Sequence, residues 1–261
     1  MHVKAAFRSA IKHDKFANPS GIDDLFDGIE LSESVPRAQK RKIWTVEQLN
    51  ALFGSPIWSG TRSRRADVTK RSQPGPHVYR DAYWWLPVLA LWTGARLEEL
   101  AQLHHDDLAH DCNGIPYIRI NDEGIKRTKT ESSVRNVPVH PFLVSIGVLD
   151  LFKTGNARSK RIFPELKPAG RLEKFGDTYS THFTDYRRAC GLYEKLRDFH
   201  SLRRSFITAL INTFGVHPLA VAALVGHFDD DDDLFKKLEK VKMTALYNDY
   251  DISGRGCPGR C

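Results

Sequence analysis

Hydrophobic positions recur with a helical period over most of this chain and with a strand period in one short stretch. Val3, Phe7, Ala10 and Ile11 share one face of a helix predicted over Val3 to Phe16, which the Asn18-Pro19-Ser20-Gly21 breaker stops. Asp23 to Lys42 runs from acidic to basic without an apolar period and is predicted to be a linker. Thr45-Val46-Glu47-Gln48 has the Thr-x-x-Gln spacing of a capping box, in which two side chains each take a backbone N–H at a helix start. A helix to about Phe53 and a compact domain beginning near Trp44 follow from it.

Ser59 to Pro76 is rich in Arg, Ser, Gly and Pro and is predicted to be an exposed basic loop. An apolar helix is predicted from about Tyr79 to Trp92, ended by Thr93-Gly94, with a second helix from about Leu97 to Leu103. Residues Pro116 to Asn121 and Val134 to Val139 alternate like two strands, joined by the polar, basic stretch Asp122 to Ser133. Beyond Pro141 the period is helical again, with helices near Phe142 to Phe152, Ser180 to Tyr193, His200 to Phe214, Pro218 to Val225 and Leu234 to Tyr247. The expected class is mainly α with a small antiparallel β-sheet (α+β). The chain contains no internal repeat.

Charge changes this picture in one respect. Lys and Arg number 39 against 32 Asp and Glu, a formal +7, a balance that favours a polyanionic partner. Cys112, Cys190, Cys257 and Cys261 are scattered and read as reduced cytosolic thiols. Met1 to Ala10 has no apolar signal core, and the densest apolar run, Trp84 to Trp92, is too short to span a bilayer. A soluble, cytoplasmic protein with no membrane partner is therefore expected. Trp84-Trp85 sits in an apolar helix and is read as core rather than as a base-stacking platform. Asp229 to Asp233 lacks the spacing of a cation loop and is read as a solvated acidic connection, so no metal ligand is assigned.

Three short segments carry chemistry. Thr93-Gly94-Ala95-Arg96-Leu97-Glu98-Glu99-Leu100 puts Arg96 at a helix start directly after a Gly turn, where phosphate is attracted. His200-Ser201-Leu202-Arg203 places His200 and Arg203 three apart on one helical face, while Leu202, Phe206, Ala209 and Leu210 form the buried stripe that anchors them. Leu224-Val225-Gly226-His227 ends a short apolar helix and leaves His227 at its mouth. Taken singly, each has an ordinary reading as a surface charge or a satisfied histidine.

In order, Thr-Gly-x-Arg-x-x-Glu-Leu, a basic hairpin, His-x-Leu-Arg and Leu-x-Gly-His resemble the catalytic domain of the tyrosine recombinase (phage integrase) family. The resemblance covers roughly Trp44 to Tyr250. It implies a catalytic domain over 44–252, preceded by a remnant last helix of a core-binding domain (1–22) and a linker (23–43), and followed by a flexible tail (253–261). Most of the core-binding domain is expected to be missing.

The activity so implied is site-specific breakage and rejoining of double-stranded DNA through a 3′-phosphotyrosyl intermediate, with no cofactor, metal or ATP. The enzyme would assemble as a tetramer on DNA and associate with the nucleoid. By similarity Arg96 and Arg203 clamp the scissile phosphate. Two planar guanidiniums can hold the non-bridging oxygens bidentately and stay charged at any working pH, doing the work of a metal ion. His200 is a general base or proton-balancing group, and His227 hydrogen-bonds the phosphate; an imidazole titrates near neutrality and suits either role. Glu99 either supports Arg96 or is a solvated helix residue.

Lys126-Arg127-Thr128-Lys129-Thr130 followed by Arg135-Asn136-Val137-Pro138 looks like the family's Lys-Thr turn and Arg-x-Val-Pro strand. That match selects Lys129 over Lys126 as the general acid at the leaving 5′ oxygen, against a plain reading as backbone-phosphate contacts. The family's nucleophilic Tyr usually follows the second His by about nine residues, which here gives Phe235 or Lys236. Thr244-Ala245-Leu246-Tyr247 matches the local Thr-x-x-Tyr pattern, so Tyr247 is the expected nucleophile, with Tyr250 the alternative. A type IB topoisomerase is the enzymatic rival. A DNA-binding protein that kept the clamp and lost its nucleophile is the rival from another class.

Overall fold

The computed structural model describes residues 41–63, 67–124, 126, 133–153 and 159–226. All fall in the second of two units into which the chain divides, Met1–Lys40 and Arg41–Cys261. The expected helix over Val3 to Phe16, the linker as far as Lys40 and everything from His227 onward lie outside the described residues.

The capping box forms as the sequence specifies. Helix α1 (Val46–Phe53) opens with Gln48 N donating to Thr45 Oγ1 and Thr45 N donating to Gln48 Oε1. Two single-turn helices follow, α2 (Pro56–Ser59) and α3 (Val68–Arg71). Here the expectation of an exposed basic loop is corrected. Arg71 is buried, its guanidinium donating to both carboxylate oxygens of Asp81 and lying 4.7 Å from the Tyr83 ring centre. A charge can be buried in this way because it is paired and hydrogen-bonded, here with a carboxylate that stays partly exposed.

Helix α4 (Ala82–Thr93) is the centre of the domain. It is apolar on all sides, and its burial is nearly complete because α9 and α5 pack against it. Trp84 and Trp85 are both core residues, as expected. The helix ends at Gly94, whose φ of 64° is left-handed, and a Cβ there would lie 2.5 Å from a ring carbon of Phe206. Gly is thus required twice over, by backbone angle and by close approach of α9.

Helix α5 (Leu97–Ala101) leads to a three-stranded antiparallel sheet of β1 (Leu108–His110), β2 (Pro116–Ile120) and β3 (Arg135–Pro138), in that order. Ile118 pairs with Val137 and Ile120 with Arg135. Ile118, Ile120 and Val137 face the core, the period-two alternation read from the sequence. Strand β1 was not expected, because three residues are too few to show a period.

The helix expected over Phe142 to Phe152 is two helices, α6 (Pro141–Ser145) and α7 (Val148–Lys153), broken at Gly147 with φ 90°. Helix α8 spans Gly176–Ala189, and α9 (His200–Thr208) widens into a π-turn over Ala209–Thr213. Of the stripe expected on α9, Leu202 is fully buried, while Phe206, Ala209 and Leu210 are half-buried. Helix α10 (Pro218–Val225) packs on β3 and the π-turn, giving a small second cluster around Ile207, Val221, Ala222 and Val225. No described helix is long and apolar enough to cross a membrane.

Cys112 sits in an exposed turn, and Cys190 is free and half-buried.

Candidate active site

Arg96 is the residue immediately before α5, with extended backbone at φ −74° and ψ 153°. It is fixed to that helix at both ends by Glu99. The Arg96 backbone N–H donates to Glu99 Oε2 at 2.9 Å, and Arg96 Nη1 donates to Oε1 at 2.9 Å. The first bond satisfies a backbone donor that a helix start leaves orphaned; the second aims the guanidinium. Arg96 Nη1 also donates to Gly226 O at 3.1 Å and Ser133 Oγ at 3.4 Å.

Glu99 is only 3% exposed, and its Oε2 also accepts from Arg135 Nη2 at 2.8 Å. Burial opposes its charge, but Arg135 and then Arg96 outweigh that and hold the carboxyl below the usual carboxylate range. Of the two readings of Glu99, support for Arg96 is the one the geometry bears out.

Arg203 comes from α9 and is also 3% exposed. Its Nη1 donates to Gly94 O at 2.7 Å and Val225 O at 2.8 Å, so it bridges the end of α4 to the end of α10. The start of α9 is held by a reciprocal cap, Ser201 N–H to Asp198 Oδ1 at 3.0 Å and Asp198 N–H to Ser201 Oγ at 3.1 Å. Asp198 Oδ2 accepts from Arg41 Nε at 2.9 Å.

These elements enclose a cleft of about 190 Å³ lined by Arg96, His200 and Arg203 together with Ala95, Leu97, Ser180, Phe199, Asp198 and Arg41. The sequence-expected Arg96, His200 and Arg203 are thus brought together, although more than a hundred residues separate the first from the others. Lys129, His227 and Tyr247 lie outside the described residues, as do Tyr250 and Asp229 to Asp233. Among the described residues there is no group of His, Cys, Asp and Glu able to hold a metal ion.

Sequence reasoning missed Arg135 and the pair Arg41 and Asp198. Arg135 was legible as the first residue of the Arg-x-Val-Pro strand, but nothing local says that it points at Glu99. Lys126, passed over in favour of Lys129, is buried. Its Nζ donates to Asp107 Oδ1 at 2.6 Å, Asp107 Oδ2 at 2.8 Å and Asn121 Oδ1 at 3.0 Å. All three of its protons are taken by this structural network.

Residues 69–232 match the family model described as "Phage integrase family". Among solved structures, the chain is similar to XerH site-specific recombinase bound to palindromic difH substrate in a post-cleavage complex, with 18% identity, a TM-score of 0.48, and coverage of 77% of this chain and 53% of that one. It is similar to the Tn1549 transposon integrase in complex with transposon right end DNA (18% identity, TM-score 0.43, 92% and 76% covered). A lambda integrase dimer bound to a COC′ core site gives 18% identity, a TM-score of 0.42, and 87% and 69% covered. The chain spans about half the length of the two XerH chains it matches. No curated protein matches the chain.

Proposed function

Since the chain belongs to the phage integrase family, we propose that it is the catalytic part of a site-specific DNA recombinase that cuts and rejoins duplex DNA through a 3′-phosphotyrosyl bond. The observation carrying this reading is the convergence of Arg96, Arg203 and His200 on one cleft. Attack on a phosphodiester concentrates negative charge on the non-bridging oxygens, and a pre-positioned pair of guanidiniums stabilises that charge without a metal ion.

In this mechanism the phenolic oxygen of Tyr247 attacks phosphorus, the bond to the 5′ oxygen breaks, and Lys129 gives that oxygen its proton. His200 takes the phenol's proton or balances it, and His227 donates to the phosphate. The phosphotyrosyl ester keeps the bond energy, so a 5′-hydroxyl from a second strand can reverse the reaction. Recombination follows strand by strand through a four-way junction, with the protein assembled as a tetramer on DNA.

The test is trapping on a nicked suicide duplex, followed by mass mapping of the peptide that carries the nucleotide. Tyr247 is the expected site; Tyr247→Phe should bind DNA and form no adduct, and Tyr250→Phe should remain active. A dead Tyr250→Phe beside an active Tyr247→Phe moves the nucleophile three residues with the chemistry intact. If the wild type binds duplex DNA and forms no adduct, the second reading holds: a DNA-binding protein that kept the clamp. The absence of Tyr at the family's usual spacing after His227 is the observation that favours it.

A further inference from the structure

Three consecutive carbonyls at the C-terminal end of α10 each accept from a different arginine. Leu224 O takes Arg135 Nε at 2.9 Å, Val225 O takes Arg203 Nη1 at 2.8 Å, and Gly226 O takes Arg96 Nη1 at 3.1 Å. The last carbonyls of a helix have no partner inside it and carry the negative end of the helix dipole, so a cluster of cations is what they favour. Arg135 differs from the other two. It does not line the cleft, and its side chain is 6% exposed. Each nitrogen of its fork is used on a different element: Nε on α10, Nη1 on Ser133 O at 2.7 Å, and Nη2 on Glu99 at 2.8 Å.

Gly226 shows how tight this joint is. A Cβ there would lie 2.7 Å from Arg135 Nη1 and 2.8 Å from its Cδ, and the backbone φ of 62° is left-handed. The glycine lets Arg135 pass directly beneath the carbonyl that holds Arg96.

We infer that Arg135 is a positioning residue of the clamp: it sets two of the groups that aim Arg96, the Glu99 carboxylate that it hydrogen-bonds and the Gly226 carbonyl that it packs beneath. This rests on the reading of Arg96 as a phosphate ligand. Arg135 touches no substrate; it acts through Arg96. Lys in its place keeps the charge and most of the stem but offers no planar fork reaching three directions.

The discriminating experiment is a double-mutant cycle in single-turnover adduct formation on the suicide duplex, with DNA affinity measured alongside. Arg135→Gln should slow adduct formation about a hundredfold, the loss expected of a misplaced oxyanion ligand, with DNA affinity within about threefold. In an Arg96→Ala background the same change should cost less than about threefold, because its target is gone. Arg135→Lys should fold like wild type, checked by thermal melting, and not restore the rate. Equal, additive losses in both backgrounds, or full activity of Arg135→Lys, would overturn the inference. A second readout is independent of cleavage: titration of inorganic phosphate followed by the arginine Nε–H signals in NMR should show at least tenfold weaker binding in Arg135→Lys than in wild type. Should the wild type form no adduct, the proposed function fails, and this titration alone decides the role of Arg135; unchanged phosphate affinity then overturns it.

Discussion

Two lysines compete for the role of general acid, and the surroundings of one of them, Lys126, say what its removal should do. Lys126→Met keeps an unbranched stem of similar volume and deletes the charge. The Lys126 side chain is 5% exposed and that of Asp107 2%, so neither ion regains water when the other is removed. Asp107 is left with His104 N–H at 2.7 Å and Asn121 Nδ2 at 3.0 Å, two neutral donors for a buried carboxylate. Removing one partner of such a pair costs about 3–5 kcal/mol. At about 2–4 °C per kcal/mol for a domain of this size, the melting temperature should fall by roughly 6–20 °C. Calorimetry and urea unfolding near pH 7 measure it, and Lys126→Met/Asp107→Asn should recover part of the loss because no unpaired charge remains. Lys129→Met should slow adduct formation at least a hundredfold. A Lys126→Met protein as stable as wild type refutes the buried-pair argument. If it is stable, folded and chemically dead, the general acid is Lys126.

Further outcomes follow from the same geometry. Arg96→Ala and Arg203→Ala should each lower cleavage about a hundredfold or more while changing DNA affinity only modestly; near-normal cleavage by either removes the clamp from the mechanism. Activity should persist in excess EDTA, since guanidiniums supply the charge, and DNA binding should weaken steeply with salt; strict magnesium dependence or a flat salt response contradicts this. The Glu99 carboxyl titrates lower in the folded protein than the 4.5 of a free glutamate. Its stabilisation is therefore fully present at neutral pH and is lost as pH falls below about 4.5 through the lower folded value. Glu99→Gln should accordingly show a shallower loss of stability across that acid range, and a loss as steep as wild type's would show that Glu99 does not contribute.

Local signals were legible in the sequence where one element decides the outcome by itself. The Thr45 box, the apolar α4, the Gly94 stop and the alternation in β2 and β3 all have their causes within a few residues. Pro87 lies inside α4 against the usual rule. An interior proline costs about 3 kcal/mol, which the burial of this helix on every side offsets. The long-range pairs were not legible. Arg71 sits in a run of turn-forming, basic residues that reads as surface, and its pairing with Asp81 and the Tyr83 ring is not visible from that run. Arg135 and Glu99 are separated by 36 residues, and no period relates a strand to the helix before it. The convergence of Arg96, His200 and Arg203 on one cleft was legible as motif order, whereas carbonyls that hold two of them belong to α10, whose sequence announces only an apolar helix.

On the proposed reading, the charge balance of the site suits an anion. Arg96 and Arg135 share one buried carboxylate, Glu99, and Arg203 joins them on the carbonyls at the end of α10, so among the described residues of the clamp the arginines outnumber the carboxylate; Arg41 and Asp198 at the rim pair with each other. The end of α10 adds about half a negative charge. It does so through backbone dipoles, which hydrogen-bond the guanidiniums without neutralising them. A second carboxylate in place of those carbonyls would hold the arginines equally well and quench the site. Fixing the clamp on carbonyls instead leaves the two guanidiniums that line the cleft, Arg96 and Arg203, charged. In the proposed reaction two such charges would suit the doubly charged pentacoordinate state better than the singly charged phosphodiester, which is the condition for catalysis rather than tight binding.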